Sequence, residues 1–281
     1  MVFYLLPKVI FNIKHQLFTK NMLSFQNIDT PSFRFAWYLA ISQLKTKYRF
    51  TALGFLWNFL EPALYLVILS LVFSVINRMD ISDYAVFLFS ALVPWRYFEK
   101  VVTSSMESIA GGEWLLKKMY VSPFTFPVNK FIISTFEFSF SITVAFIIFA
   151  FLKENWTIHL IILPLSIIPW ALFGIGLGMI SAVLYIFFRD VRPLIQMILT
   201  LVFFTSPILF HQNIFAPDSL QANLMEYHPI TYFAALFQKP IYTDIWPSGI
   251  DWLVSVSISL LTVFTGYYLI QKFKNKFYFY L

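Results

Sequence analysis

A series of apolar runs, each close to the length of a membrane-spanning helix, constrains this chain more than any other feature of its sequence. A helix needs about 20 mostly apolar residues to cross a bilayer. Hydrophobic residues make up 59% of the chain and charged residues only 12%, whereas soluble domains carry about 25% charged residues. The sequence predicts an all-α membrane protein with six transmembrane helices, at about residues 55–76, 84–108, 128–152, 159–188, 193–210 and 252–270.

The lysine and arginine residues outside these spans lie mostly on one side of the membrane. With the N-terminus inside, fourteen of them fall on the inner side and three on the outer side. Because cytoplasmic loops carry the excess of positive residues, both termini are predicted to be cytoplasmic. The resulting regions are a cytoplasmic N-terminal segment (1–54), a six-helix transmembrane domain (55–271) and a cytoplasmic tail (272–281).

An amphipathic helix is predicted in the N-terminal segment, before the first span. Thr30 and Pro31 are typical of a helix start. At 100° per residue, the larger apolar side chains fall within one narrow arc, and basic residues flank it. This pattern predicts an interface helix that lies along the inner membrane surface. The arc consists of Phe33, Trp37, Ile41, Leu44 and Tyr48.

The second span carries charges deep in the predicted membrane region. Arg96 lies about 18 Å from the start of this span, at ~1.5 Å per residue, and Glu99 and Lys100 share its side of the helix. A charge at this depth costs roughly 2.5–3.5 kcal/mol, so it should face a partner or a cavity. Three interpretations of these charges remain open. They form an ion-pair network with Lys130 and Glu137 of span three, they line a transport path, or they belong to a proton relay.

Two inner loops carry charges that topology alone does not require. The loop "GGEWLLKKMYVSPFTFP" between spans two and three presents Lys117 and Lys118 after apolar anchors. The turn "FRDVRP" between spans four and five contains Arg189 and Asp190, and Asp190 adds nothing to a positive-inside signal. The first loop is a candidate for contact with a cytoplasmic partner. The second is a tight inner-face turn, for which a topological stop signal with a solvated charge pair is the simplest interpretation, although it does not explain Asp190.

The sequence lacks the residue patterns of a catalytic, metal-binding or nucleotide-binding site. Cysteine is absent and the four histidines lack ligand spacing, so neither a metal site nor a catalytic site is predicted. The eight glycines never form G-x-x-x-x-G-K, the loop that cradles nucleotide phosphates. We therefore expect no cofactor and no enzymatic activity in this chain, and any nucleotide hydrolysis must come from another subunit. No nucleic-acid partner is expected.

Several segments together resemble the transmembrane subunit of type 2 ABC exporters, specifically the polysaccharide permeases for O-antigen, capsule and teichoic acid. The resemblance covers about residues 33–270 and is carried by "KYRFTALGFLWNFLEP", "VPWRYFEK", "EWLLKKMYVSPFTFP", "GIGLGMISAVLYIFFRDVRPL" and "FFTSPILF". Two details depart from the family: "MYVSPF" intervenes in the inner loop, and His228 stands before Pro229 where the family usually has Asn.

The resemblance implies a homodimer in the bacterial inner membrane, bound to two copies of a separate ATP-binding subunit that carries the ATP. In this arrangement the cargo is a lipid-linked glycan. The segment "PITYFAALF" between spans five and six is too short to span a membrane, so it is either a re-entrant or interfacial helix that gates the outer exit or part of a folded surface loop. Residues implied to couple to the ATPase are Trp37, Leu116, Lys117, Lys118, Arg189 and Asp190, and those at the outer gate are Pro207, His228 and Pro229.

A sugar chain needs rings on which its C–H faces stack and polar groups for its hydroxyls. Span two offers both, so the predicted substrate channel consists of Trp95, Arg96, Tyr97, Phe98, Glu99 and Lys100. The alternative is a type 2 exporter of a small amphiphile such as a drug or antibiotic, which would have a more uniformly apolar cavity. A polytopic membrane enzyme would need a convergent acidic pair or a His–Asp set at one membrane face, which the sequence does not show.

Overall fold

A computed structural model describes residues 30–47, 56–119, 121–152, 157–211, 214 and 219–280. Residues 1–29, the end of the apolar arc at Tyr48 and the first residue of span one lie outside these ranges. Within them the secondary structure is entirely helical, as the sequence predicts. The helices are α1 Thr30–Lys47, α2 Trp57–Asn77, α3 Ile81–Met106, α4 Ser108–Gly111, α5 Glu113–Lys118, α6 Thr125–Leu152, α7 Leu163–Phe187, α8 Val191–Thr205, α9 Leu220–Tyr227, α10 Pro229–Gln238, α11 Gly249–Phe273 and α12 Phe277–Tyr280.

Four helical segments of the described chain are long and apolar enough to cross a membrane. They correspond to predicted spans one, three, four and six, and comprise Phe59–Asn77, Thr125–Ile147, Ile158–Phe187 and Gly249–Phe273. Helix α3 is 26 residues long but carries the charges of predicted span two. Helix α8 has 15 residues and so extends only about 22 Å, less than the ~30 Å hydrocarbon core. Spans two and five therefore stay predictions.

Helix α3 is at the centre of the bundle. It packs against α2 and α6 on one side and against α7 on the other, while α7 packs in turn against α11. Most of the side chains of α3 are buried, which is why its exposed charged residues stand out. Helix α8 ends at Thr205 because Pro207 disfavours helical geometry at Ser206, whose ψ is 158°.

Glycines set the close approach of α7 to its two neighbours. A Cβ at Gly178 would lie 2.7 Å from the side chain of Ser105 on α3, and one at Gly176 would lie 2.6 Å from the backbone nitrogen of Val263 on α11. Only a residue without a side chain fits at these positions. The G-x-x-x-G pair of Gly174 and Gly178 thus serves packing within one chain.

Candidate transport site

A cavity of about 320 Å³ opens between α2, α3 and α6. It combines charged, hydroxyl and aromatic side chains, although the helices around it are strongly apolar. Its wall contains four of the residues predicted for the channel. The lining residues used below are Glu61, Tyr65, Arg96, Tyr97, Glu99, Lys100, Thr103, Ser134, Glu137, Phe138 and Ser141.

Arg96 lies at the mouth of this cavity between two carboxylates. Its guanidinium pairs with Glu99 one turn further along α3 at 3.0 Å and with Glu61 on α2 at 3.8 Å. The guanidinium also lies over the ring of Tyr65, 4.7 Å from the centroid, a favourable cation–π arrangement. Arg96 therefore joins α2 to α3 and remains partly exposed to the cavity.

Glu137 on α6 is the most buried charged residue of the site, with only 3% of its side chain exposed. Lys100 on α3 pairs with it at 2.6 Å. Lys47, at the end of the interface helix α1, forms a second ion pair with the same carboxylate. A buried carboxylate requires such partners, and these two lysines connect three helices through one side chain.

The ion pair between Lys100 on α3 and Glu137 on α6 joins predicted spans two and three. It is a contact of the kind that the ion-pair-network interpretation of the sequence requires. The same residues line the cavity, so an ion-pair network and an open polar face coexist. Sequence reasoning missed the roles of Glu61, Tyr65 and Lys47. A carboxylate within an apolar run was a signal for Glu137, but Lys47 is 90 positions away and no local pattern indicates that pairing.

The three aromatic residues beside Arg96 point to different neighbours. Tyr97 lines the cavity, and its hydroxyl is 2.7 Å from the Thr135 hydroxyl on α6. Trp95 and Phe98 lie on the opposite side of α3, where they are almost fully buried. There Phe98 stacks on Phe173 of α7 with 4.7 Å between ring centroids. The structure thus brings Tyr97, but not Trp95 or Phe98, to this cavity.

Helix α1 is held against α6 by small residues. Ala36 and Ala40 are fully buried, and Asn129 on α6 donates a hydrogen bond to the backbone oxygen of Ala36 at 3.2 Å. Their spacing of four residues puts both alanines on one face of the helix. Trp37 lies outside this face and is 48% exposed, so it remains accessible to a membrane surface or a partner.

The inner loop of the sequence prediction contains two short helices, α4 and α5. Leu116 is buried and anchors α5, while Lys117 and Lys118 are exposed. Between α1, this loop and α6 lies a second cavity of about 390 Å³, in which Lys130 donates a hydrogen bond to Gln43 at 3.1 Å. This bond links α6 to the interface helix, while Lys117 and Lys118 of the loop are exposed.

The first turn of α8 carries an ion pair to the C-terminal end of α3. Arg192 pairs with Glu107 at 2.9 Å, whereas Arg189 lies over the ring of Tyr185, 4.9 Å from its centroid. Asp190 is exposed and directly precedes α8. Arg192 was not singled out as a coupling residue from the sequence, yet it makes the cross-helix contact at this turn.

The three residues predicted at the outer gate lie in two adjacent segments. The backbone oxygen of Pro207, just after α8, accepts a hydrogen bond from the Gln238 side chain at 2.8 Å. His228 precedes α10, and its Nδ1 accepts the backbone N–H of Ile230 at 3.2 Å. Pro229 follows as the first residue of α10, a position that suits proline. His228 therefore caps the helix, the role that the family's asparagine could fill.

The sequence is similar to several proteins named as permeases or transport proteins. It is 24% identical over 235 residues to the O-antigen export system permease protein RfbA of Myxococcus xanthus, covering 84% of this chain and 90% of that protein. It is 28% identical over 172 residues to a permease of the same name from Klebsiella pneumoniae, covering 59% of this chain and 65% of that protein. No protein-family model matches the chain.

A further relative is the polysialic acid transport protein KpsM of Escherichia coli, 22% identical over 233 residues, or 81% of this chain and 89% of that protein. The M. xanthus and E. coli relatives thus align with 84% and 81% of this chain. Together with the all-helical fold, its candidate membrane-spanning helices and the motifs at residues 95–100 and 188–193, these similarities support a type 2 ABC exporter permease. The chain is similar to permeases of this type that export polysaccharides.

Proposed function

We propose that this chain is the permease subunit of an ABC exporter that moves a lipid-linked polysaccharide across the inner membrane, energised by a separate ATPase subunit. One observation carries the proposal: a polar, ring-lined cavity opens inside a bundle of apolar helices, at the charged face of α3. A small amphiphile is not favoured as cargo, because Arg96, Glu99 and Lys100 make this cavity polar. The permease itself makes and breaks no covalent bond in this scheme.

The proposed subunit has six spans and cytoplasmic termini. Helix α3 extends about 39 Å at ~1.5 Å per residue, enough to cross a bilayer. The apolar chain after α8, where Ile208 and Leu209 are buried, completes the length that α8 lacks. Residues 1–54 and 272–281 form the cytoplasmic segments on either side of the transmembrane domain, and Pro207, His228 and Pro229 belong to the outer gate.

The proposed assembly is a homodimer with two ATPase subunits. A row of exposed apolar side chains along α8, including Leu194, Ile198 and Leu201, offers a face for lipid or a second copy. Trp37, Lys117 and Lys118 are the proposed ATPase contacts on one side of the inner face, where buried Leu116 anchors the helix that carries the two lysines. The turn with Arg189 and Asp190 is the proposed contact on another side. Asp190→Lys is expected to uncouple or detach the ATPase without unfolding the permease; unchanged complex recovery and coupling would exclude this role.

Deletion of the gene in its host tests the function directly. We expect surface glycan to disappear and lipid-linked glycan to accumulate inside the cell. An unchanged cell surface, with increased sensitivity to an amphiphile, would instead establish the small-molecule exporter. Arg96→Ala distinguishes a transport role of Arg96 from a purely structural role in the ion-pair network. We expect normal recovery of the complex and loss of export. Intact export would show that Arg96 does not belong to the transport path.

A further inference from the structure

The charged residues that line the α2–α3–α6 cavity carry no net positive charge. In the described part of its wall, two cations, Arg96 and Lys100, face three carboxylates, Glu61, Glu99 and Glu137. Lys47 contributes a third cation, which pairs with Glu137 at the edge of the cavity. The whole cluster is therefore balanced, and the partly exposed groups are two cations, Arg96 and Lys100, and two carboxylates, Glu61 and Glu99.

Each cation of this wall is already engaged by carboxylates. Arg96 pairs with Glu99 and Glu61, and Lys100 pairs with Glu137. A site for carboxylate or phosphate groups uses arginine forks whose donors can turn to the ligand. An anionic sugar would have to displace Glu99 or Glu61 from Arg96, and it would also meet the exposed carboxylate of Glu61, whose side chain is 66% exposed.

The same wall suits an uncharged, hydroxyl-rich chain. Carboxylates accept hydrogen bonds from hydroxyl groups, and such charge-assisted bonds are about twice as strong as neutral ones. Thr103, Ser134 and Ser141 add hydroxyls that both donate and accept. The rings of Tyr65 and Phe138 provide apolar surface for the C–H faces of sugars.

From this geometry we propose that the glycan carried along this face has an uncharged repeating unit, and that Glu61 and Glu99 bind its hydroxyl groups. The inference rests on the proposed export function and extends it to the class of sugar. It concerns the repeating units and not the lipid-linked end. It also separates this chain from a carrier of a polyanion, the cargo that the name of the E. coli relative specifies for that protein.

Chemical analysis of the glycan that depends on this gene provides the test. Surface glycan from the host and material accumulated in the deletion strain are hydrolysed, and their repeating units are assayed for uronic acids, sialic acids and phosphate. A repeating unit without these groups is expected. An acidic sugar or phosphate in every unit would overturn the charge inference while leaving export intact. A glycan unaffected by the deletion would overturn export itself, and the inference with it.

Two variants test the role assigned to the carboxylates. Glu61→Gln combined with Glu99→Gln keeps the side-chain shapes but removes both charges, so export of the host glycan should fall roughly threefold at normal recovery of the complex. Asp80→Asn is the matched control, because Asp80 is an exposed carboxylate in the turn before α3 and lies outside the cavity wall. Wild-type export by the double variant would refute hydroxyl binding by these two residues.

Discussion

The ion pairs of Glu137 allow a quantitative prediction. Its carboxylate is buried, whereas the side chains of Lys47 and Lys100 are 49% and 45% exposed. Contacts to charged groups contribute about 1.5–3 kcal/mol each, and half-exposed partners fall at the lower end because solvent screens them. Replacing both lysines by methionine should therefore lower the free energy of unfolding by about 3 kcal/mol.

The same double substitution should matter less when residue 137 is neutral. In a Glu137→Gln background the lysines can make only ordinary hydrogen bonds to the amide oxygen, so their loss should cost about 1 kcal/mol. The difference, about 2 kcal/mol, is the interaction energy that a double-mutant cycle isolates. It reports on the charge of Glu137 and not on the general effect of removing lysines.

Thermal unfolding of the purified permease in detergent measures this difference. At about 3 °C per kcal/mol, Lys47→Met with Lys100→Met should lower the Tm by about 9 °C with Glu137 and by about 3 °C with Gln at that position. Lys45→Met, an exposed lysine two positions away on the same helix, is the control and should change the Tm little. Equal losses in the two backgrounds would refute the assigned ion pairs.

Three further predictions follow from the caps, the packing and the inner turn. Burial lowers the pKa of His228, so the stability that its neutral side chain gives as a helix cap is complete above about pH 6.5 and is lost as the pH falls below this value. His228→Asn introduces a cap that does not titrate, so the variant should lose less Tm than the wild type between about pH 7.5 and about pH 5. An unchanged pH profile of the Tm would contradict this. Gly176→Ala should lower the free energy of unfolding by about 1–3 kcal/mol in a denaturation assay, because the added Cβ would overlap the backbone of α11. Gly111→Ala is the control: a Cβ there has open space around it, so the free energy of unfolding should change by less than about 0.5 kcal/mol. Arg192→Glu should change stability by less than about 1 kcal/mol but reduce glycan export, and adding Glu107→Arg should restore export; failure of the exchange would show that this contact does not transmit motion.

Sequence patterns predicted the helices well where one physical signal dominates. An apolar run of sufficient length leaves few options for the backbone, because each peptide group must be hydrogen-bonded within the segment. The predicted starts and ends of spans one, three, four and six accordingly lie within three residues of the helices or helical segments observed. The fifth predicted span extended to residue 210, but α8 ends at Thr205, since Pro207 interrupts it.

The candidate site was predictable only on the helix that carries it. Helical spacing put Arg96, Glu99 and Lys100 on one side of α3, and all three line the cavity. Trp95 and Phe98 adjoin Arg96 in sequence but face α7, because successive residues of a helix turn by about 100°. Spacing therefore shows which residues share a face, but it does not show which neighbour that face meets.

What the sequence determined by itself is the class of protein: a membrane-embedded helical bundle with charges in one of its helices and no nucleotide-binding loop of its own. What only the tertiary structure decided is the partnership of those charges. Lys47 and Glu137 are 90 positions apart, and they meet because buried alanines hold α1 against α6. Contacts of this kind depend on how whole helices pack, and packing is set by side chains of several helices at once.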